Sequence, residues 1–273
     1  MSVKKEASGR RSVQVEVEVP GTPEEVWQAI ATGPGVSSWF VPAELDEREG
    51  GAITCHFGPG MDSSATITEW DPPHRLAAES GDLGPNAPML ATEWTVEARS
   101  GGTCVVRVVH SLFASTDDWD DQLESTESGW PAFFLILRLY LTHFRGRPCS
   151  TFQVTGFAPG PESKAWDALV GSLGLGGATL GQRRNTSAGA PPVAGVVEAI
   201  REDRHPYAML LLDEPAPGAA FLNTCGIGAR VFLAVGFYFY GDRASATAAH
   251  DEPLWRAWMS EHFPAVNNAS NTA

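Results

Sequence analysis

One short segment is written twice in this chain. Residues 19–30 read VPGTPEEVWQAI and residues 158–169 read APGPESKAWDAL, so in both a Pro-Gly pair begins seven residues before a Trp. A strand-like segment precedes each copy, SVQVEVEV at 12–19 and STFQVTGF at 150–157, and its alternation is typical of a half-buried strand. A strand followed by a short helix therefore begins each half of the chain. The repeat predicts a tandem duplication.

The first half continues with short strands and ends with a helix. Between residues 43 and 113, six strand patterns alternate with Gly- and Pro-containing turns, which predicts an antiparallel meander. Thr22, followed by Pro23 and two glutamates, predicts the start of the short helix. Apolar residues recur at helical spacing over 129–144, so a long buried helix should close this half.

The second half repeats this order in a shorter form. Four strand patterns lie between 193 and 240, and a closing helix is predicted over 254–263. The Gly- and Ala-rich segment 174–195 reads as a loop that replaces two strands of the first copy. A chain of 273 residues is long enough for two hydrophobic cores. We expect one domain over residues 12–145 and a divergent, shortened copy over 150–265.

Charge, cysteine spacing and apolar runs limit the kinds of partner and the cellular location that we expect. The formal net charge of −14 would repel a phosphate backbone, so nucleic acid is not an expected partner. The four cysteines are far apart, without a CxxC pair, which fits neither a zinc ribbon nor a disulfide framework. The N-terminus lacks the apolar segment of a secretory signal, and the longest apolar run, VFLAVGFYFY, is too short to span a bilayer as a helix. We expect a cytoplasmic protein with no membrane span.

Five ordered motifs of the first half resemble the SRPBCC (START-like) superfamily, and within it the family named for the activator of the heat-shock-protein-90 ATPase. They are EEVWQAIATGPGVSSWF, EREGG, ITEWDPPHRL, GGTCVVRVVHSLF and the GW that leads the long helix. The resemblance implies an α+β helix-grip fold, in which an antiparallel sheet wraps around a long C-terminal helix and leaves a cavity. The second half resembles it only in the start of its first helix and in element order.

The resemblance does not identify one function. The superfamily includes lipid-transfer proteins, polyketide cyclases and aromatases, hormone binders and co-chaperones, and it has no shared catalytic motif, so fold alone does not define activity. We expect a binding protein that holds a small hydrophobic molecule under the long helix. The alternatives are a co-chaperone-like protein acting on a protein partner of the heat-shock-protein-90 type and a cyclase- or lyase-like enzyme using the same cavity. No cofactor is expected.

Candidate ligand-binding residues come from the aromatic side chains and from strand alternation. In TCVVRVVH, Arg107 should face solvent, which places Cys104, Val106, Val108 and His110 on the inner face. Aromatic residues either line a pocket for a flat ligand or simply fill the core. The predicted ligand-binding set is Trp39, Phe57, Glu69, Trp94, His110, Phe134 and Leu137.

Two members of this set are also weak catalytic candidates. If Glu69 and His110 both point inward, they form an acid–base pair suited to an aldol-type cyclisation. The alternatives are a histidine satisfied by a backbone carbonyl at the strand end and a glutamate exposed at an edge. The acidic run 117–121 lacks the glycine and the final glutamate of a calcium loop, so an acidic helix start capped by Ser115 or Thr116 is preferred over a metal site.

Overall fold

The computed structural model describes residues 3–57, 62–81, 87–203, 205–227 and 230–264. The chain divides into two compact units, Met1–Gly146 and Arg147–Ala273, and each is described by itself. No helix within the described ranges combines the length and the apolar character that crossing a bilayer requires.

The first unit is built on an eight-stranded antiparallel sheet. Its strands are β1 (Lys4–Lys5), β2 (Arg10–Pro20), β3 (Ala43–Leu45), β4 (Ala52–His56), β5 (Asp62–Asp71), β6 (Arg75–Ser80), β7 (Leu90–Arg99) and β8 (Thr103–Phe113). The strand order is β1-β2-β8-β7-β6-β5-β4-β3, so the first long strand lies beside the last and the others form the expected meander. The two-residue strand β1 was not predicted.

Three helices complete this unit: α1 (Pro23–Ile30), α2 (Gly33–Ser37) and α3 (Asp120–His143). The predicted cap of α1 is confirmed, because Thr22 and Glu25 form a capping box and Pro23 occupies the first turn. The long helix α3 packs against β2 and β8, where its side chains cover the inner face of the sheet.

Helix α3 starts earlier than its apolar pattern predicts. It begins at Asp120, and Trp119 occupies the N-cap without a side-chain cap, so neither Ser115 nor Thr116 has the predicted capping role. The carboxylate of Asp120 instead accepts from Arg11 at 2.6 Å and lies 2.7 Å from the Lys5 ammonium. An acidic residue in the first turn is also favourable at the positive end of the helix dipole. Asp117 pairs with the same two cations, so these carboxylates serve in ion pairs rather than facing one another around a metal.

The second unit has the same topology with fewer strands. Its elements are β9 (Cys149–Pro159), α4 (Glu162–Ser172), β10 (Arg183–Asn185), β11 (Ala194–Arg201), β12 (Tyr207–Glu214), β13 (Gly218–Ile227), β14 (Arg230–Tyr240) and α5 (Ala244–His262). The order β10-β11-β12-β13-β14-β9 again places the first strand beside the last. One short strand, β10, lies within the segment 174–195 that was predicted to be entirely loop. Helix α5 begins ten residues before the predicted start at 254.

The two copies of the repeated segment occupy equivalent places. Trp27 lies on α1 and Trp166 on α4, the helix after the first long strand of each unit, and both side chains are buried. Trp130 and Trp255 lie on the long closing helices α3 and α5. The prediction of an α+β helix-grip fold in two tandem copies is confirmed.

Candidate ligand-binding cavity

The first unit contains a cavity of about 500 Å³ between the inner face of its sheet and α3. Pockets that bind small molecules have volumes of about 300 to 1,000 Å³. Small residues make this space, because Ser63 and Ala65 on β5, Ala78 on β6 and Gly129 on α3 line the wall where larger side chains would fill it. Phe57 also lines the cavity and is 46% exposed, which marks the side open to solvent.

Aromatic rings form the wall nearest α3. Phe40 stacks on Trp130 with ring centres 5.3 Å apart, and Trp94 meets Trp130 edge-on at 5.0 Å. Phe133 contacts Phe40 edge-on at 4.6 Å. Trp39 is held in place because its indole N–H donates to the carbonyl of Ala29 at 2.9 Å. Rings fixed by one another in this way offer a flat ligand preorganised faces and edges.

His110 lies at the inner face of β8 and bonds to two side chains. The indole N–H of Trp130 donates to Nε2 of His110 at 2.7 Å, and Nδ1 lies 2.9 Å from the hydroxyl of Thr92. The side chain is buried, and burial lowers the pKa of His110 from its ordinary 6.5 to about 4. His110 is therefore neutral near pH 7.

These bonds disfavour the role of general base that was considered for His110. An indole N–H is only a donor, so the lone pair of Nε2 is already used, and the proton of the neutral ring must be on Nδ1. The alternative, a histidine satisfied by a backbone carbonyl, also differs from the structure, because both partners are side chains.

Glu69 does not join His110 in the cavity. The pairing of β5 with β6 shifts between Ile67 and Glu69, and this bulge turns Glu69 to the outer face, where it pairs with Ala77. Its carboxylate lies 3.1 Å from Arg75 and its side chain is 44% exposed. The hypothetical acid–base pair is therefore not assembled.

The remaining candidates divide between the cavity wall and the core. Trp39, Phe57, Trp94 and His110 line the cavity. Phe134 and Leu137 are buried beneath the wall and are not among the lining residues. The predicted ligand-binding set did not include Thr92, Phe40, Trp130 and Phe133, which also line the cavity. The one signal for Thr92 was a hydroxyl between Leu90 and Trp94 on an otherwise apolar strand face.

The described lining residues include no Asp, Glu, Lys or Arg. Cys55 also faces the cavity, and burial raises the pKa of its thiol to about 11, so it is uncharged at neutral pH. Within the part of the chain that the structure describes, no group of three or more His, Cys, Asp or Glu is placed to hold a metal ion.

A void lined by residues of the second unit, among them Trp166, Val170 and Leu210, is much smaller than this cavity. The volume of this void is about 10 Å³, roughly what one water molecule requires. Phe237 is the eighth residue of β14, as His110 is of β8, and its ring lies 4.7 Å from that of Trp255. Ala220 is paired with Phe237 where Thr92 is paired with His110. The polar pair of the first unit is thus replaced by apolar residues in the second.

An antiparallel sheet that packs on a long closing helix, with an apolar cavity between them, defines the first unit as a helix-grip domain. Residues 20–142 match the model of the family described as Activator of Hsp90 ATPase homolog 1-like protein. The N-terminal unit is thus similar to that family over these residues, and the resemblance noted in the sequence is confirmed.

Several solved structures are similar to parts or all of the chain. CalU16 from Micromonospora echinospora is 20% identical, with a TM-score of 0.41, over 52% of this chain and 83% of its own. DynU16, from the dynemicin biosynthetic locus, is 20% identical over 93% of this chain and 96% of its own, with a TM-score of 0.42. The di-domain ARO/CYC protein BexL, from the BE-7585A biosynthetic pathway, is 14% identical over 94% and 100%, with a TM-score of 0.44. No curated protein matches this chain.

Proposed function

We propose that the N-terminal unit binds a small hydrophobic molecule in the cavity between its sheet and α3. The observation that carries this proposal is the cavity of about 500 Å³ whose described walls are mainly apolar and aromatic and have no charged side chain. Such a pocket supplies apolar contact area for a ligand and few groups for chemistry. Binding rather than catalysis is favoured because Glu69 lies outside it and His110 is neutral with both ring nitrogens engaged.

A neutral solvatochromic dye tests this proposal. Nile red should bind the wild-type chain with a blue-shifted, brighter emission. Ala65→Phe should abolish most of this signal, since Ala65 lines the cavity and a phenyl ring would occupy it. Ala52→Phe is the matched control, because Ala52 is exposed on the neighbouring strand β4 and does not line the cavity. Equal binding by wild type and Ala65→Phe would contradict the proposal.

The family match favours a second candidate, a co-chaperone-like action on an ATPase of the heat-shock-protein-90 type. In this case an outer surface of this chain would contact the partner. The net charge of −14 is compatible with docking to a basic surface on that partner. The test is the ATPase rate of a purified heat-shock-protein-90 homologue with and without this chain. A stimulated rate that survives Ala65→Phe would support this candidate, and an unchanged rate would exclude it.

A further inference from the structure

The hydrogen bonds around His110 have a defined direction. Trp130 donates to Nε2 of His110, so the ring carries its proton on Nδ1. That Nδ1–H points at the hydroxyl of Thr92, 2.9 Å away, and the Thr92 oxygen must therefore act as the acceptor. Through His110, Trp130 on α3 therefore makes the Thr92 oxygen a hydrogen-bond acceptor.

The hydroxyl hydrogen of Thr92 is left over by this arrangement. A hydroxyl has one hydrogen to donate, and His110 does not use it. Among the residues that the structure describes, Thr92 Oγ1 has no partner other than His110. Thr92 lines the cavity, where it lies on the same sheet face as Ala78 and His110. A donor without an acceptor in an apolar space favours any ligand that supplies one.

The surroundings of Thr92 limit what this acceptor is. No Lys or Arg is among the described lining residues, so an anionic group would lose its hydration without gaining a counter-charge. A neutral carbonyl or ether oxygen avoids this cost. Trp94, two residues along β7, and Trp130 on α3 present rings at the same part of the wall. These rings suit a flat, unsaturated body attached to the acceptor.

We infer that the ligand of this cavity is a neutral, flat, hydrophobic molecule whose carbonyl-type oxygen accepts a hydrogen bond from the hydroxyl of Thr92. This inference rests on the proposed binding function and adds the chemical class and orientation of the ligand. Thr92 is a specificity-determining contact, and Trp130 and His110 are positioning residues that act through it.

The second unit supplies a comparison within the same chain. It has Ala220 and Phe237 in the places of Thr92 and His110. Trp255 corresponds to Trp130, and its indole nitrogen is buried without a hydrogen-bond partner among the described residues. The hydrogen-bonded series Trp130–His110–Thr92 is therefore found in the unit with the cavity of about 500 Å³, and its counterparts in the second unit form no such series among the described residues.

Two probes of similar shape test the inference. 2-Acetylnaphthalene carries a ketone, whereas 2-ethylnaphthalene has no acceptor, and both are measured by displacement of Nile red from the full chain. Thr92→Val should weaken binding of the ketone about fivefold to tenfold, the effect of losing one hydrogen bond, and should leave the hydrocarbon within about twofold. Thr92→Ser keeps the hydroxyl and should keep the affinity for the ketone.

Infrared spectroscopy of wild-type protein gives a second readout that does not depend on a variant. The C=O stretch of bound 2-acetylnaphthalene should lie at lower wavenumber than in cyclohexane, because a hydrogen bond weakens the carbonyl bond. An unshifted stretch, or equal losses for both probes in Thr92→Val, overturns the inference while the binding function stands. If neither probe displaces Nile red and Nile red itself does not bind, the proposed function fails together with the inference.

Discussion

The indole N–H of Trp130 on α3 donates to Nε2 of His110 on β8 across 2.7 Å. This bond joins the long helix to the sheet at the wall of the cavity. It also sets which nitrogen of His110 carries the proton and thereby which way the bond to Thr92 runs. The stability of the first unit and its preference among ligands should therefore both depend on the hydrogen bond between Trp130 and His110.

The buried histidine should make the first unit less stable in acid. The pKa of His110 is lowered to about 4 in the fold from its ordinary 6.5, so the unfolded chain binds a proton more readily. Stability from this group is fully present above pH 6.5 and is lost as the pH falls toward 4. The loss in the free energy of unfolding should be about 3 kcal/mol over this window.

Urea unfolding of wild type and His110→Gln at pH 7 and pH 4.5 measures this effect. Gln does not titrate, and its amide offers both an acceptor and a donor, so the variant should lose less stability on acidification. Carboxylates titrate in both proteins and cancel in the comparison. Equal losses in the two proteins would show that His110 is not the group responsible.

Trp130→Phe should destabilise the first unit beyond the change in ring size. The substitution removes the donor and leaves the buried Nε2 of His110 without its partner, which costs about 1–3 kcal/mol. Trp255→Phe is the matched control in the second unit, because its indole nitrogen has no partner among the described residues. Native-state hydrogen exchange of the β8 and β14 amides reports the two effects. A larger loss for Trp255→Phe would argue against the hydrogen bond as the cause.

Negative charge on the ligand should weaken binding. Methyl 2-naphthoate and 2-naphthoate share a ring system, but the anion enters a cavity whose described walls have no cation. In Nile red displacement at pH 7, we expect the carboxylate to bind at least about tenfold more weakly, or about 1.4 kcal/mol. Tighter binding by the carboxylate would require a positive group at the cavity.

The cavity thiol should react slowly and be shielded by ligand. Burial raises the pKa of Cys55 to about 11, so little thiolate forms at pH 8. Cys225 is exposed and serves as an internal reference. Labelling with iodoacetamide, followed by peptide mass spectrometry, should modify Cys225 first. Adding 2-acetylnaphthalene should slow Cys55 further and leave Cys225 unchanged. Ligand-independent labelling of Cys55 would place the probe elsewhere.

Local patterns predicted most of the fold because each element carries its own signal. Strand alternation correctly placed Arg107 on the outer face and His110 on the inner face. Alternation failed at Glu69 because a bulge adds one residue between Ile67 and Glu69 and reverses the faces beyond it. Such a bulge depends on the pairing of two strands, which a single strand does not reveal.

The start of α3 and the polar contacts of the cavity depend on distant parts of the chain. The apolar pattern begins only at residue 129, nine residues after the helix starts at Asp120. Arg11 and Lys5, more than a hundred residues earlier in the chain, pair with Asp120 in the first turn. Thr92 was missed because its role depends on lying opposite His110 across two strands. Phe133 faces the cavity while its neighbour Phe134 is buried, a difference of one helical step that apolar spacing alone does not resolve.

We expect the first unit to bind a flat hydrophobic ligand against Trp94, Trp130 and Phe133. Intermolecular nuclear Overhauser effects between 2-acetylnaphthalene and assigned side chains of the full protein test it most directly. We expect contacts from the naphthalene protons to these three rings, a contact from the acetyl methyl group to Thr92, and none to Trp255. Contacts confined to exposed side chains or to the second unit would contradict it.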